Sequence, residues 1–103
     1  MALESFTKQA YEAFVIAADF GDVLVGTEAL SSSTVVATDK DDTDVSDAVT
    51  TSATKAIDGT EVQIQVKAGS AAASPYKITF KAVTDVTPAN QWEKDITMKV
   101  KEL

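Results

Sequence analysis

Val66–Asp85 reads VKAGSAAASPYKITFKAVTD, and this stretch decides the fold. Seven small residues, Ala68 to Ser74, run into Pro75 and Tyr76, after which the chain alternates. Tyr76, Ile78, Phe80 and Ala82 fall on one side of an extended backbone, and Lys77, Thr79 and Lys81 on the other. Strict period two is the signature of a strand with one buried face. A tyrosine placed just after a proline, at the mouth of such a strand, needs an explanation that propensity alone does not give.

The same alternation recurs on either side. Glu61 to Lys67 (EVQIQVK) puts Val62, Ile64 and Val66 inward and Glu61, Gln63, Gln65 and Lys67 outward. Over Gln91 to Leu103, Trp92, Ile96, Met98 and Val100 share a face opposite Glu93, Asp95, Thr97, Lys99 and Lys101. Asp58-Gly59 supplies the positive φ of a two-residue hairpin, so it predicts a strand over Ala48 to Ile57 leading into the one after it. Thr87-Pro88-Ala89-Asn90 marks the loop between the last two strands. Ser31 to Thr38 (SSSTVVAT) is a further strand whose inward face the pattern leaves open. Val and Thr, both suited to a pleated surface, make up 25 of the 103 residues.

The N-terminal third is ambiguous. YEAFVIAADF carries apolar residues on both strand faces, with Tyr11, Ala13, Val15 and Ala17 on one and Phe14, Ile16 and Ala18 on the other. Tyr11, Phe14, Val15 and Ala18 also fit a helical stripe. The β-branched pair Val15-Ile16 and the stop at Gly21 favour a strand over Ala10 to Ala18. The alternative is an α+β chain with an N-terminal helix over residues 8–19. With the strand reading, phenylalanine and isoleucine occupy a face that a solvated sandwich fills with polar residues, which predicts a protein contact through Phe14 and Ile16 or a covering segment.

About seven short strands spaced near ten residues apart describe an all-β, antiparallel immunoglobulin-like sandwich in one domain over residues 1–103. In that architecture the tyrosine has a purpose. The chain crosses between sheets before the sixth strand, and a tyrosine at that strand's start bonds its hydroxyl to the upstream backbone. Tyr76 fits this position, and Ile78 stands where antibody domains place a cysteine.

Composition excludes much chemistry. The chain has no Cys and no His, and all nine cations are Lys. The commonest general base, metal ligand and phosphate clamp are therefore missing together. No catalytic residue, metal site or cofactor is assigned. The net charge of −7 is uneven: residues 1–60 hold three Lys against eleven acids, and residues 61–103 six Lys against five acids. An acidic chain without arginine is a poor nucleic-acid binder. The longest apolar run, Ala13 to Ala18, is far short of the roughly 20 residues a membrane span needs. With Glu4 preceding any cation, no secretory leader is read. The expectation is a soluble protein made in the bacterial cytoplasm, with no membrane or nucleic-acid partner.

Two clusters of carboxylates remain. TDKDDTDVSD packs Asp39, Asp41, Asp42, Asp44 and Asp47 around Lys40. Hard oxygen ligands at alternate positions suit Ca²⁺. The EF-hand register fails, however: counted from Asp39, the sixth position is Asp44 instead of glycine and the twelfth is Thr50 instead of glutamate. A solvated loop, a weak cation site and an electrostatic docking patch stay open. Asp19, Asp22 and Glu28 read as a polar loop, and Trp92 reads as core.

The order ADFGDVL, ALSSSTVVAT, VKAGSAAASPYKITFKAVTD and NQWEKDITMKV, from about Tyr11 to Leu103, resembles small phage and prophage structural proteins of the fibre–tail adaptor or tail-associated type, which have an immunoglobulin-like fold. That family often has a tryptophan near Phe20 and a glycine pair where this chain has Ala68-Gly69. The resemblance implies a non-enzymatic virion component that docks between other virion proteins in a ring-like, symmetry-repeated arrangement in the assembled particle. The rival reading is an immunoglobulin-like binding module that recognises carbohydrate or Ca²⁺ at a surface.

Overall fold

In the computed structural model, which describes residues 5–102, the chain forms β1 (Ser5–Gln9), β2 (Phe14–Asp19), β3 (Leu30–Thr38), a single helical turn α1 (Ser46–Val49), β4 (Thr50–Asp58), β5 (Glu61–Val66), β6 (Tyr76–Thr84) and β7 (Gln91–Lys101). The strands form two sheets, ordered β1-β7-β6-β3 and β2-β5-β4. All pairings are antiparallel except that of β1 with β7. Numbered as in antibody domains, the second to seventh strands divide as they do in the immunoglobulin sandwich, with β2, β5 and β4 facing β3, β6 and β7.

The alternating strands bury the faces their sequences mark. Val62, Ile64 and Val66 of β5 meet Tyr76, Ile78, Phe80 and Ala82 of β6 and Ile96, Met98 and Val100 of β7 in one core. The β6–β7 register sets Tyr76 beside Met98, Ile78 beside Ile96 and Ala82 beside Trp92, so both inward rows stack on a common face. On β3 the odd positions face inward at its C-terminal end, where Ala37 is buried. Gly59 takes φ +61 in the β4–β5 hairpin, the left-handed conformation that the Asp-Gly pair supplies.

The crossover between the sheets closes on Tyr76. Its hydroxyl oxygen accepts the Ser70 N–H at 2.9 Å. Ser74 Oγ accepts the Val100 N–H at 2.9 Å, and Ser70 Oγ accepts the Ala73 N–H at 3.2 Å. Gly69 lies under the ring with φ +86, and a Cβ there would meet Val100 Cγ2 at 3.0 Å and the ring at 3.3 Å. Small residues therefore precede Tyr76 because the backbone passes against its ring.

Lys8, which the sequence reading left unmarked, fastens β1 to the same corner. Its side chain is only 2% exposed. Nζ donates to the carbonyls of Ala68 (2.6 Å), Gln9 (2.8 Å) and Ala10 (3.3 Å). Burial holds the ammonium below the ordinary lysine range, partly offset by the Glu12 carboxylate. Saturation of all three N–H donors is what makes a buried ammonium tolerable.

The strand favoured over Ala10 to Ala18 forms from Phe14 to Asp19, paired residue for residue with β5 from Val66 to Glu61, and the alternative helix over residues 8–19 is absent. Two expectations about detail are corrected as well. The faces of β2 are the reverse of those assigned from sequence. Ile16, Ala18 and Phe20 lie in the core, Ile16 at 5% exposure, while Val15 points to solvent. The single strand over Ala48 to Ile57 is divided: α1 turns Val49 into the core, and Thr50 Oγ1 donates to the Ser46 carbonyl at 2.6 Å. Beyond it, β4 loses register with β5 between Thr51 and Ala56. There the Thr54 hydroxyl substitutes for a backbone acceptor by taking the Gln65 N–H at 2.8 Å.

Tyr76→Phe removes the acceptor for the Ser70 N–H and keeps the ring; the expected cost is about 1–2 kcal/mol with the fold retained. Gly69→Ala forces an L side chain into a positive φ against two neighbours, at an expected cost of at least about 1 kcal/mol. Urea unfolding of both variants checks these values, and wild-type stability in either would show that the corner does not hold the crossover.

Candidate functional site

The acidic segment forms a tight loop in which two carboxylates, those of Asp39 and Asp44, turn to nearby backbone donors. Asp39 Oδ1 accepts the N–H groups of Asp41 (2.9 Å) and Thr43 (3.0 Å), and the Asp42 N–H donates to the Asp39 carbonyl (3.0 Å). Asp42 takes φ 63, a conformation that aspartate tolerates better than most residues. Asp44 Oδ1 accepts from the Ser46 N–H (2.9 Å) and hydroxyl (2.7 Å), and Ser46 Oγ in turn accepts the Ala37 N–H (2.9 Å). These bonds seat α1 against the end of β3. Asp41, Asp42 and Asp47 stay exposed.

Among the described residues, no three acidic side chains converge as a metal site would require. Two of the five carboxylates in this segment are held by local donors, so their spacing in sequence does not become a coordination shell. What remains is a negative surface at the β3–α1 connection.

At the opposite end, the 20–29 and 85–90 loops and the β4–β5 hairpin are stitched together. Asp19 Oδ1 accepts the Gly21 N–H and the Thr60 hydroxyl, both at 2.8 Å. Asp85 and Ala29 exchange two bonds at 3.0 Å, and Asn90 Nδ2 donates to Glu28 at 2.6 Å. Lys94 Nζ sits 2.7 Å from Asp22 Oδ1 and 5.7 Å from the centroid of the buried Phe20 ring. Sequence parity puts Lys94 on the inward row of β7 with Trp92 and Ile96; its place at the end of that row lets the ammonium reach the rim. Asp19, Asp22 and Glu28 thus close loops instead of facing a pocket. Nearby, Thr34, Lys81, Gln91, Trp92 and Glu93 border an open hollow of about 400 Å³. On its rim the Lys81 ammonium lies 3.9 Å from Glu93 Oε1, an exposed ion pair.

The apolar surface is elsewhere than the sequence reading put it. Ile16 lies in the core, and Phe14 is 38% exposed at the sandwich edge, packed edge-on against Phe6 at 5.6 Å between ring centroids. The exposed neighbours are Tyr11, at 99%, and Val15, at 57%. Tyr11 and Val15 were missed because a strand beginning at Ala10 puts them on the covered face. The signal that finds them is the turn preceding β2, which the sequence does not announce with Gly or Pro. Among the described residues, no helix is long and apolar enough to cross a membrane.

No protein-family model matches the chain, and no curated protein is detectably similar to it.

The Gly21 N–H and Thr60 hydroxyl hold the Asp19 carboxyl below the usual carboxylate range, the Lys94 ammonium does so for Asp22, and the two Ser46 donors for Asp44. A depressed folded-state value means the unfolded chain binds more protons near its ordinary carboxylate pKa, so this stabilisation is full above that value and is lost as pH falls through the depressed ones. The expected result is a Tm that declines as pH drops below about 4, with a shallower decline in the double variant Asp19→Asn/Asp44→Asn. An identical acid limb in wild type and variant would contradict the assignment.

Proposed function

We propose that this chain is a non-enzymatic structural protein of a phage or prophage virion, a tail or head–tail associated adaptor that works through protein–protein contacts. The observation that carries the contact part of this reading is the exposure of Tyr11, Phe14 and Val15 close together in the chain at the start of β2. Apolar surface left in water at one place is characteristic of an interface. The virion part is supported by the resemblance of the residues around Gly69 and Tyr76, which build the crossover corner, to those of small phage structural proteins. The Asp39–Asp47 loop, which follows the C-terminal end of β3, offers a second, electrostatic contact. A rigid small domain with separate apolar and acidic surfaces suits a part held between larger neighbours.

One observation favours a second reading. Val25 and Val86 are exposed on the loops that cluster at one end of the sandwich, where immunoglobulin variable domains place their recognition loops. A binding module for carbohydrate or Ca²⁺ would use that end or the acidic loop. Ligand bound only to the folded state raises Tm, so a calcium- or glycan-dependent rise would favour this reading.

Mass spectrometry of gradient-purified particles from an induced culture of the source organism tests the main proposal. The expected result is co-purification at a fixed stoichiometry to other particle proteins. Particles that lack the chain while the cells contain it would overturn the virion reading.

A further inference from the structure

The sandwich has four strand edges, and three of them carry devices that discourage pairing. β1 is short and turns the charged Lys8 inward. β3 is irregular between Leu30 and Ser32, and the Lys55 ammonium donates to its Ser33 carbonyl at 2.7 Å. β4 loses register between Thr51 and Ala56. Inward charges, bulges and lysines are the usual protection of exposed edges. β2 has none of these. It pairs with β5 without a break, and Phe14 to Ala18 contains no charge and no proline. Among the described residues, no group bonds the outer backbone edge of β2.

We infer that the free edge of β2 is a self-association site that pairs antiparallel with β2 of a second copy of this chain. A two-fold pairing is isologous, each residue meeting the same partner on both sides. Opposed residues in an antiparallel pair share a face, so only registers that set inward positions opposite inward ones keep both sheet faces continuous. Centring the pair on Ile16 does this. Phe14 then faces Ala18 of the second copy, Val15 faces Ala17, and Ile16 faces Ile16, a large side chain opposite a small one on either flank. Asp19 falls opposite Ala13 rather than its own copy, so no like charges meet. Tyr11, fully exposed, falls opposite Gly21, where no side chain competes for the space. Centring on Ala17 instead sets Asp19 against Val15 and loses these matches.

The interface is small. Two tyrosine rings contribute roughly 150–250 Å² each, and with two six-residue edges the total stays near or below about 1,200 Å², the lower bound of standard interfaces. The dimer is therefore weak in free solution and becomes populated where copies are concentrated. The inference rests on reading the Tyr11–Val15 surface as a protein contact, and not on the virion assignment.

Sedimentation velocity and equilibrium of the full chain over a concentration series test it. The weight-average mass should rise toward the dimer with concentration. Val15→Lys sets a charge on the outward face at the middle of the edge, and Ala17→Glu does the same two residues on. Each alone should weaken dimerisation at least about tenfold. An equimolar mixture of the two variants should recover association, because the pairing sets the ammonium introduced by Val15→Lys in one chain against the carboxylate introduced by Ala17→Glu in the other. Unchanged circular dichroism confirms that each variant is folded. A wild-type chain that stays monomeric throughout, a dimer indifferent to Val15→Lys, or a mixture that does not recover would each overturn the inference. So would hydrogen-exchange protection of the outer β2 amides at concentrations where the chain is monomeric, since the edge would then be filled from within. A monomer that is nevertheless found in particles leaves the structural role standing and removes only the self-pairing.

Discussion

The Tyr76 hydroxyl bond to the Ser70 N–H is a single contact, yet the two sheets depend on the corner it closes. The chain leaves β5 at Val66 in one sheet and must enter β6 at Tyr76 in the other. Backbone groups in that crossover have no ladder to satisfy them, so Tyr76 and Ser70 side chains accept the N–H groups of Ser70 and Ala73, while Ser74 Oγ ties the segment to β7 by accepting the Val100 N–H. Buried unpaired amides cost about 1–3 kcal/mol each, which is why a polar tip on a buried ring is preferred here to phenylalanine. Lys8 uses the same corner from the other side through the Ala68 carbonyl. One short segment thereby couples β1, β6 and β7, and the core stacks on what they hold.

Loop chemistry follows a similar economy. Asp44 in the acidic segment and Asp19 in the opposite loop cluster accept from nearby amides and hydroxyls, which favour their charged forms. A sequence crowded with aspartates suggests ligands, but the geometry turns Asp39 and Asp44 into turn formers. The residual negative charge is carried by Asp41, Asp42 and Asp47 at the surface. These three carboxylates leave a negative surface beside α1 without converging on a point.

The strand edges show which surfaces the fold leaves open. Lys55 reaches from β4 to the Ser33 carbonyl and ties two edges together on one side of the sandwich. On the other side, Phe6 and Phe14 pack edge-on where β1 and β2 lie beside each other. Beyond Phe14 the outer edge of β2 has no such tie. From Phe14 to Ala18 this edge carries no charge, and it pairs with β5 without a break.

The strands with strict alternation were legible because their periodicity and their burial have the same cause. β5, β6 and β7 each bury one face, so the apolar positions in EVQIQV, YKITFKA and QWEKDITMKV mark the core directly. Tyr76 was legible too, because its place before a strand and after small residues is a local arrangement. The faces of β2 were not: Val15 and Ile16 are both apolar, and only pairing with β5 decides which one meets the core. Nor could local sequence reveal that Lys8 is buried, since its three acceptors include Ala68, sixty positions away. The same holds for α1, where the Ser46 and Thr50 bonds replace a strand that propensity favours. What the amino-acid order determined by itself was the inward row of each half-buried strand and the corner that joins the sheets. Which apolar face was left in water, and which charges were enclosed, was decided by tertiary pairing, because those outcomes depend on neighbours that are distant along the chain.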